Sequence, residues 1–285
     1  MMIEGMNMNN TKNAYFLIIA AVITWSLSGI LVKSVEAGPL WISLIRSLGG
    51  GIFLLPYVFK ERIYPAKYVL SGSIFMAIFI LSLTITTRIS SAAMAISMQY
   101  TAPMYVIAYS FYTNKKIEIS KLIVFILIFI GILLNTFTTL ENSNILAIVS
   151  GIITGLSFVF YSYSLQKVSH GNLLGIVSLI NIGSAIIYAI LLIFNHSAPP
   201  TSLKEIGIIT ISGIFISGIS YALYGAGLRK VPMEKALILC LAEPILNPIW
   251  VYLGKGEIPH TYTIIGLFFI LIGAVIDILF NKDKN

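Results

Sequence analysis

Uninterrupted apolar runs of about twenty residues recur along this chain, and they fix its solvent before they fix its shape. They cover Ala14 to Val32, Leu40 to Phe59, Tyr68 to Thr87, Ala92 to Tyr112 and Leu122 to Thr138, then Ile145 to Leu165, Asn172 to Phe194, Ile206 to Leu228, Lys235 to Leu253 and Tyr262 to Phe280. A hydrocarbon core about 30 Å thick is crossed by roughly 20 residues of α-helix. Only 10% of the 285 residues are charged, against about a quarter in an ordinary soluble domain, so the surface of a water-soluble fold is missing. A closed β-barrel also satisfies its backbone in lipid, but its strands alternate in polarity over about 10 residues, unlike these continuous runs. The expectation is an all-α membrane protein with ten transmembrane helices and no separate soluble domain.

The segments between the runs carry loop punctuation: Gly38-Pro39, Pro65, Pro199-Pro200 and Pro259 among them. Lys and Arg in short loops collect on the cytoplasmic face. With both termini inside, thirteen of them fall on that face and four outside (Lys33, Arg88, Lys204 and Lys255), with Arg46 apart within the second run. This predicts a multi-pass inner (plasma) membrane protein with cytoplasmic N- and C-termini. The net charge of +7 is thereby a matter of topology, because no basic cluster suits a nucleic acid. The first run exceeds the apolar core of a signal peptide and reads as a retained helix. Cys240 is the single cysteine, which excludes an intrachain disulfide or a thiol metal site.

The two halves are alike. Arg88 to Ile96 aligns with Arg229 to Leu237, Ala102-Pro103 with Glu243-Pro244, and Ile130 to Leu133 with Ile272 to Val275. The units are residues 1–139 and 145–280. A unit with an odd number of spans begins its second copy from the opposite face, so two five-helix copies are inverted, as in many secondary transporters. Leu241-Ala-Glu-Pro244, the stretch Tyr252 to Ile258, and Gly266 through Gly273 resemble the last two helices of the EamA-like family of drug/metabolite transporters. Trp25-Ser26, and Arg46 after Gly38-Pro39, are similar to that family's first repeat. The resemblance implies a ten-helix inverted-repeat carrier of amino acids, metabolites or drugs.

Glu243 is the leading candidate for substrate binding or coupling, because an intramembrane carboxylate costs several kcal/mol unless it is paired, protonated or hydrated. Pro244 and Pro248 free helical carbonyls beside it, and Pro103 does so in the first repeat, which marks all three as candidate gating positions. Asn247 lies one turn after Glu243. Arg46 either snorkels to the outer interface or turns inward to hold a substrate carboxylate. Gln99 and Asn181 are mid-span amides that bind a ligand or join helices. Among the aromatic residues Trp25, Tyr100, Tyr105, Tyr161, Tyr221, Tyr224 and Trp250, those selected for the cavity wall are Tyr100, Tyr221 and Trp250. Gly49-Gly50-Gly51 and Gly151 to Gly155 read as close helix packing.

An intramembrane enzyme is the rival class. It needs reacting groups at membrane depth, whereas His170, His196 and His260 fall in loops without metal-ligand spacing. A channel or non-transporting scaffold is the third reading, and no selectivity loop supports a channel. With no nucleotide-binding loop, ATP does not drive movement directly. The sequence therefore predicts a secondary-active or facilitative transporter, with export preferred, acting by alternating access. A small molecule is its substrate, a proton is the candidate coupling ion, the bilayer is its surroundings, and no cofactor, metal or nucleic acid is called for.

Overall fold

The computed structural model describes residues 11–60, 65–114, 118–141, 145–168 and 172–280. Arg62, Lys115, Lys116, Lys282, Lys284 and His170, used above for topology or for weighing an enzyme, lie outside them. In chain order the α-helices of the first half are α1 (Thr11–Trp25), α2 (Ser28–Lys33), α3 (Pro39–Leu54), α4 (Ala66–Ile89), α5 (Ala92–Gln99), α6 (Ala102–Asn114) and α7 (Ile119–Glu141). Those of the second half are α8 (Ile145–Val168), α9 (Leu173–Phe194), α10 (Leu203–Ser212), α11 (Tyr221–Gly227), α12 (Met233–Leu239), α13 (Glu243–Lys255) and α14 (Thr261–Phe280). Every regular element among the described residues is helical.

Seven continuous stretches among the described residues are long and apolar enough to cross a bilayer: Thr11–Lys33, Pro39–Lys60, Ala66–Ile89, Ile145–Val168, Leu173–Phe194, Leu203–Gly227 and Met233–Lys255. Ile119–Leu134 and Thr261–Gly273 are shorter apolar helices. The expected single helix at Ala92 to Tyr112 is two, α5 and α6, parted at Tyr100–Thr101. The expected Ala14 to Val32 is likewise parted at Ser26–Leu27. Pro103 explains the first break: without an N–H it cannot bond the carbonyl four residues back, so the helix restarts there. In the second half a 3₁₀ turn, Cys240–Ala242, precedes α13, and Pro244 again occupies its first turn. Both Pro103 and Pro244 therefore open new helices instead of kinking old ones, and only Pro248 sits inside one.

Side chains facing outward are large and apolar, such as Phe53, Leu70, Phe215 and Phe268, as a lipid-facing surface requires. Small residues bring helices together inside. A Cβ on Gly213 would collide with the Arg46 carbonyl oxygen, and one on Gly49 would stand 2.8 Å from that of Thr210, so α3 rests backbone to backbone on the span that contains α10. Where that contact is made, residues Gly213–Ser220 widen into a π-helix. Such wide turns alter which side chains face a neighbour and cluster at functional sites.

Candidate functional site

The helix interruptions meet near the centre of the bundle. Ser26 O, released where α1 stops, accepts from Asn247 Nδ2 at 3.0 Å, and Ser26 Oγ accepts from Trp250 Nε1 at 3.0 Å. The break in the first span is thereby tied to α13. Asn247 and Trp250 are thus placed at this break, and neither is among the residues that line the central cavity. Gly29 allows the approach, since a Cβ there would lie 2.5 Å from Asn247 Oδ1.

That cavity is small, about 10 Å³ or room for about one water, and is lined by Trp25, Ser28, Arg46, Phe79, Leu83, Gln99, Phe158, Ile216, Tyr221 and Glu243, from both halves of the chain. Arg46 is 2% exposed and turned inward: its Nε donates to Ser217 Oγ at 2.9 Å and a terminal nitrogen donates to Ser28 Oγ at 2.9 Å. The π-helical turn delivers Ser217, whose carbonyl also receives Asn181 Nδ2 at 2.9 Å. Asn181 therefore acts as helix glue, bonding Val177 O as well.

Glu243, also 2% exposed, occupies the first turn of α13, directly after the Cys240–Ala242 turn. Its Oε2 accepts from Tyr100 Oη at 2.7 Å and from Gln99 Nε2 at 3.3 Å. The partners of the carboxylate thus come from the break in the other repeat. No ion pair within 4.0 Å joins Glu243 to Arg46, so the cavity presents a cationic and an anionic group that do not neutralise each other by contact. Two further buried polar atoms at the cavity wall, Trp25 Nε1 and Gln99 Oε1, have no hydrogen-bond partner in the protein. Unsatisfied groups at such depth are costly and are met by a ligand or by water.

An aromatic wall completes the cavity. Trp25 and Tyr221 lie 4.8 Å apart by ring centroids, Phe79 stacks on Phe158 at 4.9 Å, and Tyr161 meets Tyr221 edge-on at 5.2 Å. Tyr224 packs behind Trp25 at 5.1 Å and donates to Ser162 Oγ. Tyr105 belongs to neither the wall nor the carboxylate's partners. Sequence reasoning passed over Phe79, Phe158 and the serines that hold Arg46. Phenylalanine and serine are common in membrane helices, and only folding selects the ones at the cavity level.

A second polar group of contacts closes the face bearing the short loops after α2, α4, α9 and α13. Lys33 Nζ pairs with Glu257 at 3.1 Å and donates to Ser90 O at 3.0 Å, while Glu257 accepts from Ala92 N at 3.2 Å. Glu205 accepts from the backbone N–H groups of Glu36 and Thr201, Arg88 donates to Ala37 O, and Gly38 N reaches Ala198 O at 2.8 Å. These residues were legible only as loop charges. Their spacing of up to 224 positions in the chain hides the pairing, as for Lys33 with Glu257.

The helices and the buried cavity define a multi-pass helical membrane protein made of two repeats. The model of the EamA-like transporter family matches twice, over residues 12–137 and 142–278, and the chain belongs to that family. It is similar to an uncharacterized transporter of Archaeoglobus fulgidus, 26% identical over 262 residues that cover 91% of this chain and 94% of the relative. An uncharacterized transporter of Clostridium kluyveri is 22% identical over 297 residues, covering 96% of each. A solved crystal structure shares the fold at a TM-score of 0.72 and 15% identity, over 94% of this chain and 98% of the other.

Proposed function

We propose that this membrane transporter is a ten-span secondary carrier, its two repeats inverted, that moves small zwitterionic metabolites of the amino-acid type by alternating access. The observation that carries the reading is the pairing of Arg46 and Glu243 across one buried cavity without an ion pair between them. Arg46 suits a substrate carboxylate by charge-assisted hydrogen bonds. Glu243 with Gln99 Oε1 suits an ammonium, and the faces of Trp25, Phe79 and Phe158 suit an apolar side chain. A cavity of about 10 Å³, walled by rings on several helices, has to widen to admit cargo, which is the movement inverted repeats permit.

The orientation we assign places both termini in the cytoplasm, with the plasma membrane as the host bilayer. The contacts of Lys33, Arg88, Glu205 and Glu257 then form the outer gate. Glu243 is the coupling group: a proton taken up from one side weakens its bonds to Tyr100 and Gln99 and biases the two repeats between states. Facilitated diffusion with Glu243 as a polar lining is the competing account.

The test is flux in proteoliposomes. Purified protein is reconstituted, a mixed panel of amino acids and cationic drugs is followed in both directions by mass spectrometry, and protein-free liposomes serve as control. Saturable flux of an amino acid that responds to an imposed pH gradient supports the reading. Glu243→Gln is expected to keep a weakened, saturable substrate binding through Arg46 and to lose the gradient response, and an unchanged response refutes proton coupling. Saturable flux confined to the cationic drugs would overturn the zwitterion assignment.

A further inference from the structure

Helix α13 has two working faces. The inner one carries Glu243 and Asn247, and the outer one borders a groove of about 410 Å³ shared with α14. Its walls are Pro244, Ile245, Pro248, Ile249, Tyr252 and Leu253 on one side and Ile264, Leu267, Phe268 and Leu271 on the other, with Pro259 between the helices. In the first repeat the corresponding elements, α6 and α7, pack against each other. In the second repeat α14 packs on α7 and stands off from α13.

We infer that this groove holds one acyl chain of a phospholipid from the leaflet whose headgroups lie at Lys255 and His260. Three observations select that occupant. The lining contains no charged residue and a single hydroxyl, that of Tyr252, so water gains little there. From Pro244 to Leu253 the groove runs ten residues of α13, roughly 14 Å at 1.5 Å per residue, which is about half of a 30 Å hydrocarbon core and thus one leaflet. At its mouth stand Tyr252, Lys255 and the stacked pair His260 and Tyr262, residue types that sit at headgroup level, with Lys255 carrying the charge that meets a phosphate. The chain takes the place against α13 that α7 takes against α6, and so backs the helix that presents Glu243 to the cavity. This inference rests on membrane location alone and stands apart from the substrate reading.

The experiment is native mass spectrometry of the full chain purified with limited detergent exchange from a bilayer of defined phospholipids. Wild type is expected to retain one phospholipid per chain. Ile249→Trp and Leu267→Trp, which fill the groove from either wall, are expected to lower that retained fraction at least fivefold, whereas Ile190→Trp, on a lipid-facing position of α9, leaves it unchanged. Size-exclusion chromatography with light scattering checks that each variant is folded and reads its oligomeric state. Wild type without retained lipid, equal retention in the filled variants, or a dimer that Ile249→Trp dissociates would each overturn the proposal, the last by giving the groove to a second copy.

Discussion

The breaks at Tyr100–Thr101 and at Cys240–Ala242 are the same backbone device with different chemistry. Each is tightened by three-residue hydrogen bonds: Tyr100 N to Ser97 O and Thr101 N to Met98 O in one, Glu243 N to Cys240 O in the other. Each is followed by a proline that starts the next helix. Yet the first carries the donors Gln99 and Tyr100 and the second carries the acceptor Glu243, and the fold brings donors to acceptor. Ala102, the residue aligned with Glu243, is fully buried. Duplication supplied a symmetric pair of interruptions, and side-chain divergence made them complementary.

The sharpest way to break this comparison is to restore symmetry. Ala102→Glu would bury a second carboxylate without donors, at a cost of several kcal/mol. The expected result is at least a tenfold fall in monodisperse protein recovered from membranes, read by fluorescence-detected size exclusion. Arg46→Ala comes next: it removes the cation and leaves the Ser28 and Ser217 hydroxyls without their donor. Saturable flux is expected to fall about a hundredfold while Arg46→Lys keeps part of it, because an ammonium cannot reproduce the guanidinium fork.

Tyr100→Phe removes one hydrogen bond to a carboxylate, about 1.5–3 kcal/mol when the acceptor is charged. About a tenfold loss of gradient-driven flux is expected, with the protein still folded. The loop contacts should have a smaller effect, since the Lys33–Glu257 pair is partly exposed and such pairs contribute about 1 kcal/mol or less. Lys33→Glu is expected to raise labelling of a Leu83→Cys cavity reporter by an impermeant outside thiol reagent a few-fold, and adding Glu257→Lys should return it. Trp250→Phe, which removes the bond to Ser26 Oγ together with part of a partly buried ring outside the cavity lining, should change flux less than threefold.

Much of the fold was legible because lipid solvent imposes long apolar helices, and nearly every expected run has a helical counterpart within a few residues of its expected ends. The interruptions were less legible. Pro103 and Pro244 signalled disturbance, but nothing as local marks Ser26–Leu27, where no proline stands and the break is held by Asn247 and Trp250 from α13. For the site, Glu243, Arg46, Gln99, Tyr100 and Tyr221 could be singled out as polar or amphipathic groups inside apolar runs; the structure sets Glu243, Arg46, Gln99 and Tyr221 around one cavity, whereas Tyr100, selected for its wall, is not among the lining residues and reaches the site through its bond to Glu243. Asn247 and Trp250 share the right helix face but reach the first span instead.

The sequence by itself determined the solvent, the helical class and the duplicated order of the chain, because these follow from composition, run length and internal alignment, and it carried the family through the resemblance of motifs such as Leu241-Ala-Glu-Pro244. Only the tertiary structure decided that Arg46 turns inward instead of snorkelling, that Glu243 is held by Tyr100 and Gln99 and not by Arg46, and that the loops after α2 and α13 are latched by Lys33 and Glu257. The physical reason is range. Hydropathy acts residue by residue along the chain, whereas a buried polar group takes its partner from whichever helix packing brings within about 3 Å, and here those partners lie in the opposite repeat.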